Sequence, residues 1–251
     1  MKPYLSPAEF KILAHRGSTE TGAVENTLEA FQTAIDSGIT YLETDVQATS
    51  DGVAVLFHDE TLRRIAGLNQ RVNELSFLQL SALKHQGKAL QIPKLVDALK
   101  SFPGAKFNLD LKTADAIAPT VAVIRELKAI DRVLVSSFGN GRRMTALHQL
   151  PGVATSPDAF LVLKIWLAAR FGLRNRLSRL LLAVDVLQIP KNFGPIRFDS
   201  REFIDAIHRR SVSVHFWTIN DVSEAERLRA MGADGIVTDA SKLMMSAFGN
   251  K

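Results

Sequence analysis

Short apolar runs alternate with amphipathic stretches along the whole of this chain, and that alternation constrains its fold more than any other feature. The runs at Ile12–Ala14, Tyr41–Val46, Lys106–Leu111, Val133–Ser136, Val153–Thr155, Val184–Gln188, Val212–Trp217 and Gly235–Val237 have the length of strands. Helical periodicity recurs between them at Thr27–Ser37, Leu95–Ser101, Thr120–Ala129, Arg201–Arg209 and Ser223–Met231. The first helix opens with Asn26 as its N-cap and Glu29 three residues on, and Gly38 stops it. Eight strands alternating with helices over 251 residues predict an α/β fold, a (β/α)8 TIM barrel formed by residues 1–251 as one domain. A doubly wound open sheet is the other arrangement of such units, but no G-x-G-x-x-G or Walker sequence supports it.

Alternation within the strands then predicts which side chains enter the barrel. In 106–112, Phe107, Leu109 and Leu111 share the face that meets helices, and Asn108, Asp110 and Lys112 share the inward face. In the second strand the inward set is Tyr41, Glu43 and Asp45. The charged members come at the strand ends, where barrel enzymes place their chemistry. Asp51-Gly52 then predicts a two-residue hairpin turn, which sets Ser50 against Val53 and Asp45 against His58. Residues 59–93, with a helix near Leu75–Lys84, leave the barrel pattern. They predict a small insertion after the second strand, a cap over the mouth spanning about 47–92.

Composition removes several classes of function. The chain has no cysteine, which excludes disulfides, thiolate nucleophiles and cysteine zinc sites. Its opening, MKPYLSPAEFK, has no apolar core of a secretory signal, and no apolar run approaches the roughly 18 residues that span a bilayer. A cytoplasmic protein, possessing at most a peripheral relation to membranes, is expected. The net charge of +5 is local, because 159–184 carries Lys164, Arg170, Arg174, Arg176 and Arg179 and no acid, and the rest is neutral. No nucleic-acid partner is implied.

His15-Arg16-Gly17 directly follows the first strand, so it shares the mouth with Glu43, Asp45 and Asp110. Three crowded carboxylates repel, and one should hold a proton unless a cation neutralises them. Hard oxygen donors without cysteine favour Mg2+ or Ca2+ over zinc. Ion pairing of the same carboxylates to Lys112 and Arg16 is the competing arrangement. His15 and His58 suit general acid and base work near neutral pH. His148 and His208 fall on helices and are read as satisfied or solvent-exposed side chains. Arg16 and Lys112 could hold phosphate oxygens.

The motifs HRG (15–17), ENT (25–27), ETDV (43–46), HD (58–59), LDLK (109–112), SSF (136–138), WTIN (217–220) and DGIVTD (234–239) together resemble the glycerophosphodiester phosphodiesterase family, in its order and over nearly the whole chain. The resemblance implies a (β/α)8 barrel with an insertion after the second strand, one divalent cation (Mg2+ or Ca2+), and hydrolysis of glycerophosphodiesters to an alcohol and sn-glycerol 3-phosphate in lipid metabolism. By matching position it makes His15 and His58 the acid/base pair and Glu43, Asp45 and Asp110 the metal ligands. Arg16 and Lys112 would then hold the phosphate, and Trp217 would pack on the glycerol. One position departs: the family usually has Glu where this chain has Asp110, and the shorter side chain reaches about 1.5 Å less.

Other readings of the same motifs are a lysophospholipase D, an enzyme like the sphingomyelinase D group, or a binding module that holds phosphodiesters without turnover. The basic stretch 159–184 has apolar residues at helical spacing between its cations. It is either an ordinary barrel helix with solvated arginines or an amphipathic rim that rests on an anionic membrane.

Overall fold

The computed structural model of the protein describes residues 2–85 and 88–249. Its barrel strands are β1 (Lys11–His15), β2 (Tyr41–Ala48), β3 (Lys106–Leu111), β4 (Val133–Ser136), β5 (Ala154–Thr155), β6 (Val186–Pro190), β7 (Ser213–Trp217) and β8 (Gly235–Thr238). All their pairings are parallel, in the order β5-β4-β3-β2-β1-β8-β7-β6. The seam between β5 and β6 is held by the Asp185 N–H donating to the Thr155 carbonyl and the Gln188 N–H donating to Ser156 Oγ, both at 3.1 Å. The result is a nearly closed (β/α)8 barrel.

Strand parity sorts the side chains as their alternation requires. Phe107, Leu109 and Leu111 belong to the apolar shell between strands and helices, while Asn108 and Asp110 face inward. A separate apolar plug fills the lower interior. There Leu13, Tyr41, Leu134, Val186 and Val237 meet Tyr4 and Leu5 of a 3-10 turn that closes the barrel from below. Tyr41 donates its hydroxyl hydrogen to the Tyr4 carbonyl at 2.8 Å.

Helices form at the predicted places, with two instructive differences. Leu28–Asp36 is capped by Thr27, whose Oγ1 accepts the Ala30 N–H, and not by Asn26. The helix after β3 begins at Ile117, three residues early, because Pro119 is tolerated in a first turn where no backbone donor is needed.

The hairpin after β2 also differs. Val46 faces Leu56, Gln47 faces Val55 and Ala48 faces Ala54, so Asp45 lies opposite Phe57, not His58. Three residues turn the chain instead of two. Gly52 sits at φ +77°, and Thr49 Oγ1 accepts the Val53 N–H. Asp51 ties this turn to the insertion, since the same carboxylate oxygen accepts the Thr49 hydroxyl at 2.5 Å and the Phe77 N–H at 3.0 Å. The cap itself has a small core of Val55, Phe57, Leu62, Val72, Leu75 and Leu80. Its helix covers only Phe77–Ser81, shorter than expected, and residues 86 and 87 lie outside the described residues. Among the described residues no helix is long and apolar enough to cross a membrane.

Candidate active site

The strand ends at the C-terminal mouth carry most of the candidate residues. Glu43 and Asp45 are on β2, Asp110 is on β3 and Trp217 ends β7; His15 ends β1, with Arg16 directly after it. The turn at Arg16-Gly17 is sharp, with φ +58° and +85°. A Cβ on Gly17 would stand 2.7 Å from Ala30, so only glycine lets this loop lie against the first helix. Through that contact the helix fixes where His15 and Arg16 point.

All three carboxylates are buried, but their surroundings differ. Asp45 accepts from Lys112 Nζ at 2.8 Å and from Asn26 Nδ2 at 2.9 Å, and Arg16 Nε lies 3.2 Å away. Burial raises its carboxyl, yet Lys112 and Arg16 outweigh burial and hold it below the ordinary value. Asp110 shares the same lysine at 2.7 Å, and burial leaves it raised. Glu43 has no such cation. It accepts the Arg16 backbone N–H at 3.2 Å and lies 3.9 Å from His15 Nε2. Burial, and then the adjacent Asp45, push it up to about 8. Ion pairing to Lys112 and Arg16 therefore accounts for two of the carboxylates and leaves the third.

The two histidines are held alike. Nδ1 of His15 lies 2.7 Å from Asp239, and Nδ1 of His58 lies 2.8 Å from Asp59. A carboxylate at Nδ1 keeps the proton there and leaves Nε2 as the working nitrogen. For His15, burial lowers basicity, but the Asp239 hydrogen bond and the Glu43 charge carry it above the ordinary value. Asp239 is itself fixed by Asn220, which donates from Nδ2 at 2.9 Å.

His58 makes no recorded bond to the other candidates. It follows the return strand Ala54–Leu56 and is tied in through a relay: Asp59 to Arg64 (2.6 Å), Arg64 to Glu25 (2.5 Å) and Glu25 to Arg16 (3.2 Å). Trp217 reaches the centre through Phe138, with ring centroids 6.3 Å apart, and Lys112 Nζ lies 5.7 Å from the Phe138 centroid.

Glu25, Asn26, Asp59, Arg64, Asn220 and Asp239 thus join the site, although none of them is among the candidate site residues read from sequence. All but Arg64 lie inside the motifs ENT, HD, WTIN and DGIVTD. Asn26 was masked by its resemblance to an N-cap. At φ +58° it is buried, donating to Asp45 and accepting from Thr44 Oγ1 at 2.7 Å.

Among the described residues no histidine and carboxylate group is already gathered as a metal cage, because the Lys112 ammonium stands between Asp45 and Asp110. The donors still suit a hard cation. They are oxygens only, they already hold one positive charge between two of them, and Glu43, pushed up to about 8, holds near neutral pH a proton that a bound cation would displace.

Comparison with known proteins agrees with the arrangement. The chain is 36% identical over 233 residues to the Mycobacterium tuberculosis protein named "Probable glycerophosphodiester phosphodiesterase 2", covering 92% of this chain and 88% of that one. It is 24% identical to human Lysophospholipase D GDPD1, covering 91% and 83%. A phosphodiesterase of Oleispira antarctica, solved in complex with the product sn-glycerol-3-phosphate, superposes with a TM-score of 0.76 at 26% identity, covering 96% of this chain and 97% of that one. The model of the glycerophosphoryl diester phosphodiesterase family matches residues 15–243, and the chain belongs to that family of enzymes.

Proposed function

We propose that this protein hydrolyses glycerophosphodiesters to an alcohol and sn-glycerol 3-phosphate, using a divalent cation held by Glu43, Asp45 and Asp110. The observation that carries this reading is the pairing of three buried carboxyl groups, one of them pushed up to about 8, with two histidines that each have Nδ1 anchored on an aspartate. Family membership and the Oleispira product complex support the substrate class. A cation bound there, Mg2+ or Ca2+, would polarise the phosphoryl oxygens and offset their charge.

The chain's own groups supply the rest. Arg16 and Lys112 hold the phosphate, and Trp217 lies along the glycerol. Lys112 gains this role when it exchanges its carboxylate partners for phosphate oxygens. Nε2 of one histidine takes a proton from the attacking oxygen, and Nε2 of the other gives one to the departing alkoxide. Asp239 and Asp59 keep both rings in the tautomer this requires.

Release of glycerol 3-phosphate from glycerophosphocholine tests the reading. EDTA should abolish it and Mg2+ or Ca2+ restore it. His15→Ala and His58→Ala should each lower kcat by about 10² or more, with the double variant little worse than either. One of the two should recover partly on a p-nitrophenyl ester, whose leaving group needs no acid. Full activity in EDTA would refute the metal; neither variant recovering would refute the division into acid and base.

A further inference from the structure

The basic stretch that sequence alone left between a solvated face and a membrane rim has a definite place in the fold. Its first helix, Ala159–Arg170, starts at the mouth and runs back along the barrel for about 18 Å. Phe171–Leu173 then turn at the far end, and the second helix, Arg174–Leu180, packs beside the first. Two bonds fix that location. Arg210, past the end of its own barrel helix, donates to Ser178 Oγ at 2.7 Å, and the Ser213 N–H at the start of β7 donates to the Asp185 carbonyl at 3.2 Å. Both belong to the N-terminal ends of the strands, opposite the site.

Charge and apolar surface coincide there. Arg170, Arg174, Arg176 and Arg179 form no salt bridge among the described residues, and Arg210 adjoins them through Ser178. Between the arginines, Phe171 is 69% exposed and Leu182 is 84% exposed, with Leu173 also exposed. Exposed aromatic and leucine side chains flanked by arginine with no acid between them match the surface of an anionic bilayer, where apolar groups enter the headgroup layer and cations meet lipid phosphates. A nucleic-acid duplex would be served by the arginines but not by Phe171, and no nucleic acid has a use for Leu182.

We infer that the protein docks on anionic membranes through the Arg170–Leu182 face, with the barrel mouth turned to the aqueous side. This narrows the membrane contact expected of 159–184 and reverses its orientation. Phe160 and Lys164, at the start of the first helix, take no part. A mouth facing water receives a soluble glycerophosphodiester released from the membrane, and docking keeps the enzyme near its source; this last clause rests on the activity proposed above.

Sedimentation with vesicles of phosphatidylcholine and phosphatidylglycerol in equal parts tests the docking without turnover. Wild-type protein should sediment at low salt and be released as salt rises. The triple variant Arg170→Gln, Arg174→Gln, Arg176→Gln should lose about tenfold or more of its partitioning, and Phe171→Ser with Leu173→Ser several-fold. Phe160→Ser with Phe193→Ser, at the mouth, should bind like wild type. Vesicles should leave glycerophosphocholine turnover unchanged. The inference is overturned if wild type ignores these vesicles at low salt. It is equally overturned if binding is lost with the mouth variant and kept with the arginine variant, or if vesicles block turnover. Retention on heparin without vesicle binding would assign the patch to soluble polyanions. If no form turns over glycerophosphocholine while vesicles still bind, only the activity reading fails.

Discussion

Two levels of the same barrel interior differ by two residues along each strand. On β1 the lower residue is Leu13 and the upper is His15; on β2 Tyr41 gives way to Glu43, on β4 Leu134 to Ser136, on β6 Val186 to Gln188, and on β8 Val237 to Asp239. The lower level is a plug whose side chains are buried among one another. The upper level is nearly as buried around Glu43 and Asp110, yet it carries carboxyl groups whose charged form burial disfavours. The same backbone supports both, because the lower residues stabilise and the upper ones are held in place at a cost in stability.

That division can be broken from either side. Glu43→Gln should abolish activity while raising the thermal midpoint of EDTA-treated protein at pH 7 by about 2–4 °C, since it removes a buried carboxyl that the fold forces to keep a proton the unfolded chain would release. Leu134→Ala, one level below, should cost about 2–5 kcal/mol of stability and leave kcat of the folded fraction within about twofold. Differential scanning and steady-state assay of both variants decide it. If Glu43→Gln destabilises, the upper level is not under the tension described.

His215 is an exception within the lower level, and pH sharpens the contrast there. It is fully buried, neither ring nitrogen has a hydrogen-bond partner among the described residues, and burial pushes it down to about 4. A histidine depressed in the fold binds fewer protons than when unfolded at 6.5, so its contribution is complete above pH 6.5 and is lost as pH falls towards 4. The loss amounts to at most about 3 kcal/mol. Urea midpoints measured from pH 7 to pH 5 should fall less steeply for His215→Leu than for wild type. Parallel slopes would show that His215 is not the group responsible. His208, raised chiefly by its hydrogen bond to Asp234, acts in the opposite direction in both proteins and cancels in the comparison.

The smallest expected effect concerns the join between cap and barrel. Arg64→Gln cuts the relay from Asp59 to Glu25 and should lower kcat by about tenfold, with little change in KM or thermal midpoint. Arg64→Lys should recover part of the loss, because it keeps one charge but not the forked contact. A change in KM alone would mean that the cap only closes over substrate and does not position His58.

Local pattern made much of this legible. β3 and β4 fall on the predicted residues, and the inward faces of β2 and β3 follow from alternation, which depends only on neighbours along the chain. The hairpin register did not follow, because a third residue enters the turn, and the Asp51 carboxylate that holds it bonds both Thr49 and Phe77, the latter 26 positions away. Asn26 had the composition of a helix cap, but its role was decided by Asp45, 19 positions on. Asp239 carries no local sign of pairing with His15, 224 positions earlier. The sequence by itself determined which residues were available at the mouth, since strand length and parity are short-range properties. Only the tertiary structure decided which carboxylate went unpaired, which aspartate steadied each histidine and at which end of the barrel the arginines lay. Those outcomes depend on the closure of the barrel, which brings distant segments within hydrogen-bonding reach and removes the water that would otherwise have screened their charges.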